Sequence, residues 1–165
     1  MHIKDRIIEL RRVKASDLAR NPKNWRTHSN KQQDALKGIL ADVGFADALL
    51  ARETPDGLVL IDGHLRAETC PDQEIPCLVL DVTAEEADKL LAVVDPIAAM
   101  AGTDKDALES LLQDIRFDSE ALTNMLDGLA AKNGIGIELD DGTEFDESIA
   151  NDVDYQTCPK CGHKF

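Results

Sequence analysis

Aromatic side chains make up 4% of this 165-residue chain, too few for a base-stacking platform. Positive charge is also short: 18 Lys and Arg stand against 32 Asp and Glu, a formal net charge of −14. That balance argues against a protein that coats DNA non-specifically, since such binding is driven by neutralising phosphates. No apolar run approaches the ~18 residues of a membrane span, and the N-terminus lacks the apolar core of a signal peptide. The expected location is cytoplasmic. The four cysteines are then expected to be thiols or metal ligands rather than disulfides. No internal repeat is present. The apolar fraction of 43% is ordinary for a folded core, and the length fits one domain with an appendage.

The charge is unevenly spread. Residues 1–37 carry ten Lys and Arg and four acids, a balance of +6, and the remainder carries −20. A basic front end on an acidic body points to a polyanion contact confined to one surface. The plain alternative is a strand edge protected by charge.

Local signals give an order of elements. Ile8 to Val13 is a short, edge-like strand. Asn21-Pro22-Lys23-Asn24 is turn chemistry. A loop, Trp25-Arg26-Thr27-His28, holds the only Trp beside an Arg and a His; such a Trp is either a packing lid or a ligand contact. Ser29 with Gln32 three residues on forms a capping box. Ala35, Leu36, Ile39, Leu40 and Val43 then make one apolar helical stripe, closed by Gly44. Ala48 to Glu53 is a strand, and Thr54-Pro55-Asp56-Gly57 a tight turn. After the next strand and helix, Ile75 to Asp81 forms a strand in which Cys77 alternates with Ile75 and Val79 as a core residue. Thr83 and Glu86 form a second capping box, for a helix to about Val94 that Pro96 interrupts. Further helices are expected from Thr103 to about Ile115 and from Ser119 to about Ala130. The fold class is therefore α/β (α+β), a small mixed sheet with packed helices and a helical segment behind it. Residues 133–157 turn acidic without periodicity and read as a linker.

The chemistry concentrates in Leu58-Val59-Leu60-Ile61-Asp62-Gly63-His64-Leu65-Arg66-Ala67-Glu68-Thr69. Four apolar residues form a buried strand. A helix beginning at His64 leaves its first backbone N–H groups free, which suits an anion. Gly63 allows close backbone approach, and Arg66 supplies a planar, permanently charged fork. Arg66 is expected to be exposed. The plain alternative is an ordinary strand-to-helix turn with Arg66 in a surface ion pair.

Cys158-Pro159-Lys160-Cys161-Gly162-His163 ends the chain as half a zinc ribbon, with Cys158, Cys161 and His163 as the metal ligands on offer. A structural zinc wants four ligands. Either His163 and a water complete the site, or two chains pool four thiolates and form a homodimer.

With these residues placed, the first ~115 positions resemble the ParB N-terminal domain, in the superfamily shared with sulfiredoxin. The resemblance covers the entry strand and Asn-Pro turn, the helix ending in Val43-Gly44-Phe45, the hairpin, and Asp62-Gly63-His64-Leu65-Arg66-Ala67. It extends through the strand Ile75 to Val82 and Thr83-Ala84-Glu85-Glu86. Gly63-His64-x-Arg66 looks like the family's phosphate-binding box. Trp25-Arg26-Thr27-His28 together with this box looks closest to short mobile-element members found beside DNA methyltransferases. The resemblance implies a ParB-like domain over 1–115 with a core of about 7–95. Behind it come a helical extension over 116–132, the linker, and a zinc-knuckle tail over 158–165. Leu65 departs from the Arg of CTP-binding members, and Val93 to Ala99 carries none of their later Glu-Asn-x-x-Arg box. The helix-turn-helix domain that follows in partition proteins is not expected within these 165 residues, and His64 holds the place of sulfiredoxin's catalytic Cys.

The resulting expectation is a non-enzymatic module that binds a nucleotide, alone or with Mg, or nucleic-acid phosphate through Asp62, Gly63, His64 and Arg66. Trp25, Arg26 and His28 assist. One alternative is a nucleotide hydrolase or metal-dependent nuclease in which Asp62 and His64 hold a cation and His28 is the base. Another is a scaffold with a vestigial box. Partners would be DNA or a nucleotide, a DNA methyltransferase or other DNA-processing protein, and a second copy of the chain, with no membrane.

Overall fold

The computed structural model describes residues 2–136. The acidic stretch from residue 137 onward, and Cys158, Cys161 and His163, lie outside the described residues. The elements run β1 (Ile7–Lys14), α1 (Asn30–Asp42), β2 (Leu49–Thr54), β3 (Gly57–Asp62), α2 (His64–Thr69), β4 (Glu74–Leu80), α3 (Ala84–Ala99), α4 (Lys105–Asp114) and α5 (Glu120–Lys132).

The four strands form one mixed sheet in the order β1-β4-β2-β3. β2 and β3 are an antiparallel hairpin, β4 runs parallel to β2, and β1 closes one edge antiparallel to β4. β4 is thus an inner strand despite its proline. Pro76 sits opposite Arg12 of β1, one residue before pairing with β2 begins at Cys77, so its missing N–H falls where only one neighbour is paired. Strand alternation splits the apolar residues between two faces. Leu49, Ala51, Leu58, Leu60, Ile75, Cys77 and Val79 pack on one face with Ala15 and Leu18. Ile61, Leu80 and Ala87 pack on the other, flanked by Leu50, Leu78 and Leu90. Cys77 is fully buried, as its alternation implied.

Helix ends follow local chemistry, with four departures. Thr83 and Glu86 make the full reciprocal capping box, and Arg6 donates to the two Glu86 carboxylate oxygens from Nη1 and Nη2. At α1, however, only half the box forms. Ser29 accepts from the Gln32 N–H, while the Gln32 side chain turns to His28 instead. Asp104, not Thr103, caps α4 by accepting from the Ala107 N–H; its carboxylate reaches that donor from one residue nearer the helix. α3 does not stop before Pro96 but continues to Ala99. Proline removes one hydrogen bond there, and the helix carries on beyond it. Ser119 occupies the N-cap position of α5 without a side-chain hydrogen bond.

Met1–Ile135 form one contact unit, and α5 packs against α1. The crossing is close: a Cβ on Gly38 would meet Ser119 Oγ and lie 3.1 Å from Leu122 Cγ. Asn133–Ile135 close α5, with Gly134 at φ 64 and Ile135 buried.

Candidate functional site

The turn from β3 to α2 is built by a glycine with no substitute. Gly63 is the N-cap of α2 at φ 90, where L side chains are strained. A Cβ there would collide with Leu49 Cδ2 and approach Arg66 Nε at 3.3 Å. The backbone therefore lies tight against both the core and the guanidinium. The chain leaves the sheet at Asp62 and enters a six-residue helix, so that Asp62, His64 and Arg66 fan out from one point.

A cleft of ≈ 420 Å³ opens beside this turn. Its lining includes Arg26, His28, Asp62, Gly63, His64 and Arg66, six of the seven phosphate-site residues expected from sequence. α1 contributes Leu36, Ile39 and Leu40, and α3 contributes Leu90, Leu91 and Val94. Trp25 is not part of the lining. It is 55% exposed, donates from Nε1 to the Leu91 carbonyl at 3.3 Å, and carries the Arg26 guanidinium 4.3 Å above its ring. It is neither buried lid nor wall: it positions Arg26 by cation–π contact.

Arg66 is not exposed as expected. Its side chain is 15% accessible; it lies against the Gly63 backbone and pairs outward with Asp47 and Asp62. Asp47 Oδ2 accepts from Nη1, and Asp62 Oδ2 lies 3.6 Å from Nη2. Partial burial pushes the Asp47 carboxyl up, but the Arg66 guanidinium and the Ala48 N–H outweigh it and hold the group below the ordinary carboxylate value. Arg26 is likewise paired, with Asp95 at 2.9 Å. Two guanidiniums thus face three carboxylates in the cleft. Asp47 and Asp95 had no local signal, since each is recruited by a partner far away in the chain.

His64 is buried, and its Nε2 has no hydrogen-bond partner among the described residues. It lines the cleft and also a second cavity of ≈ 290 Å³ bounded by Ser16, Arg20, Glu68 and Pro71. Burial dominates its ionisation and pushes its pKa below the ordinary 6.5, against the pull of Asp62 and Glu68. The ring is therefore neutral at neutral pH. His28, across the cleft, shares Nδ1 with Gln32 Oε1 at 3.2 Å.

Half of the basic front end is paired inside the molecule. Arg6, Arg11, Arg20, Lys23 and Arg26, five of its ten cations, pair with Glu86, Glu53, Glu68, Asp88 and Asp95 of the acidic body. Among the described residues no three His, Cys, Asp or Glu side chains gather to hold a metal. No helix there is long and apolar enough to cross a membrane.

No protein-family model and no curated protein matches the sequence. Solved structures do match the fold. A C-terminally truncated chromosome-partitioning protein ParB from Caulobacter crescentus, complexed with CTP-γ-S, superposes with a TM-score of 0.52 at 16% identity, covering 78% of this chain and 72% of that one. The fold is ParB-like. A Pnob8-like ParB-N domain aligns over 98% of this chain and 58% of its own, with 17% identity and a TM-score of 0.48. At these identities the likeness concerns the ParB-like fold alone.

Proposed function

We propose that the chain is a nucleotide-phosphate-binding module on a ParB-like fold, acting in DNA metabolism without chemistry of its own. The observation that carries this reading is the convergence of Gly63, His64, Arg66, Arg26 and His28 on one cleft of ≈ 420 Å³ with an apolar far wall. That volume falls within the range of small-molecule sites. The polar turn suits phosphates, and the leucine-rich wall suits a base and ribose. A cleft of this kind admits a mononucleotide more readily than a duplex, and the internal pairing of the basic segment leaves less charge for DNA.

Three carboxylates in the cleft would repel a bare triphosphate. A divalent cation travelling with the phosphates offsets them, as Mg²⁺ does when held by one or two carboxylates plus substrate oxygens. Asp62 and Asp47, flanking Arg66, are the residues placed to face such an ion. His64 Nε2, buried without a partner among the described residues, is the polar atom a bound ligand would satisfy. Hydrolase or nuclease action is the second reading: carboxylates beside a divalent cation would serve it as well, and turnover separates the two. The sequence of the tail leads us to propose a zinc site at Cys158, Cys161 and His163 as well. The resemblance in sequence adds association with a DNA methyltransferase or other DNA-processing protein.

A panel of radiolabelled nucleoside mono- and triphosphates, with CTP included because a ParB of this fold is complexed with CTP-γ-S, tests the reading with and without Mg²⁺. Saturable binding without turnover is expected. Turnover would assign an enzyme, and no binding to any nucleotide would leave a scaffold with a vestigial box.

A further inference from the structure

β1 is the edge of the sheet, with β4 on one side and, among the described residues, no strand on the other. Edge strands present unpaired N–H and C=O groups and pair with other chains unless something prevents it. A bulge between Ile7 and Glu9 interrupts the register with β4 at one end, and from Glu9 to Lys14 the ladder is regular and open on its outer side. The strand Ile7–Lys14 contains no proline. It leaves three large aliphatic side chains in solvent: Ile7 at 50%, Ile8 at 56% and Leu10 at 58% exposed. Its charges are of both signs. Glu9 and Arg11 share one face, and Arg11 is drawn between Glu9 and Glu53. Leu10 and Arg12 share the opposite face with Ile7, which the bulge sets opposite Leu80, and Ile8 is the extra residue of that bulge.

We infer that β1 pairs antiparallel with β1 of a second copy of this chain, about a two-fold axis at Leu10, to make a continuous eight-stranded sheet. The register follows from charge. A two-fold axis perpendicular to the sheet must place residues of one face against residues of the same face. Centring on Leu10 sets Glu9 opposite Arg11 of the other copy, twice, with Leu10 against Leu10 at the axis. The bulge lies just beyond Glu9, so Glu9, Leu10 and Arg11 are the positions that decide the register. Moving the centre to Glu9 opposes Glu9 to Glu9, and moving it to Arg11 opposes Arg11 to Arg11. Like charges directly opposite destabilise a strand pair, whereas opposite charges and apolar pairs stabilise it. Of these three registers only the Leu10-centred one pairs Glu9 with Arg11, so the alternating signs select an alignment rather than forbid pairing.

Cysteine cross-linking reads this register directly. Opposed residues of an antiparallel pair have Cα atoms about 4.5–5.5 Å apart, within disulfide reach. Leu10→Cys in the full chain should therefore form a covalent dimer on mild oxidation. Mass spectrometry should find a disulfide-linked peptide joining position 10 of both copies, which none of the natural cysteines can produce. Ile8→Cys would be roughly 13 Å from its symmetry mate and should form no link between the two copies of position 8. A charge swap gives a second, independent readout. In a Cys158→Ser background, which removes the proposed link between tails, Glu9→Arg and Arg11→Glu should each lose the dimer by sedimentation, because each opposes like charges. An equimolar mixture of the two variants should recover it as a heterodimer, since every arginine at positions 9 and 11 of one copy then faces a glutamate of the other. No disulfide at position 10, an equal one at position 8, or single charge variants that dimerise as the wild type does would each overturn the inference.

Discussion

Arg66 and Asp47 are locked together 19 positions apart in sequence, the guanidinium of α2 donating to a carboxylate just before β2. The pair turns the exposed cation expected from sequence into a charge already answered within the fold. It sets two opposing expectations for the cleft. Arg66→Ala removes a charge-assisted contact and should weaken nucleotide binding by about 1.5–3 kcal/mol. Asp47→Asn releases the guanidinium and should tighten binding of a nucleotide offered without a divalent cation. Titration calorimetry of both variants checks this, and weaker cation-free binding by Asp47→Asn would remove Asp47 from the role of competitor.

Gly63 should tolerate no side chain. Gly63→Val combines the left-handed backbone penalty, about 1–2 kcal/mol, with overpacking against Leu49, about 1–3 kcal/mol. Urea unfolding should report a midpoint lowered in proportion, and nucleotide binding should fall along with it. A variant as stable as the wild type would show that the turn has room the structure denies.

His64 should make stability depend on pH. Burial depresses its folded pKa below the ordinary 6.5, so the unfolded chain takes up a proton first as pH falls. The stability of the neutral buried ring is fully present above about 6.5 and is lost as pH drops through the lower folded value. Thermal melts of the wild type and His64→Gln between pH 8 and pH 5 should therefore diverge, the wild type losing more. Parallel curves would mean that His64 titrates as it does in the unfolded chain.

Thr83 holds the start of α3, and Glu86 ties that start to Arg6. Thr83→Ala should cost about 1 kcal/mol, typical of a lost N-cap, measured by chemical denaturation. Glu86 accepts from both the Thr83 N–H and Arg6, so Glu86→Gln should also weaken the docking of the N-terminal segment, seen as faster hydrogen exchange near Ile7.

The proposed zinc tail should be separable from the domain. Cys158, Cys161 and His163 follow an acidic stretch that reads as a linker, so chelation should remove the metal while leaving the domain's thermal transition nearly unmoved. About one zinc per two chains is expected by native mass spectrometry, from the four thiolates that two tails would pool, and it should be lost in Cys158→Ser. One zinc per strictly monomeric chain would reject a shared four-thiolate site and turn attention to Cys70 and Cys77. Of these, Cys77 is buried in the core and its thiol pKa is pushed up by that burial.

Much of the architecture was legible because it is written locally. Alternation in β4 named Cys77 as core, Thr83-x-x-Glu86 announced α3, and Gly44, at φ 87, closed α1. The strand-to-helix stretch around Gly63 identified most of the cleft's polar wall. Each of these depends on neighbours within a few positions, where backbone geometry and side-chain reach are fixed by covalent connectivity. Long-range geometry supplied the rest. The sequence showed a basic front end and an acidic body, but only folding brought Lys23 to Asp88 and Arg26 to Asp95 and so consumed that charge inside one molecule. It marked Pro96 as a break, yet the helix continues to Ala99. By itself the sequence determined which elements form and which glycine the site requires. The tertiary structure decided how exposed Arg66 is, which carboxylates answer it, and that β4 lies inside the sheet, because Coulombic pairing and burial depend on distances in space that the order of residues does not encode.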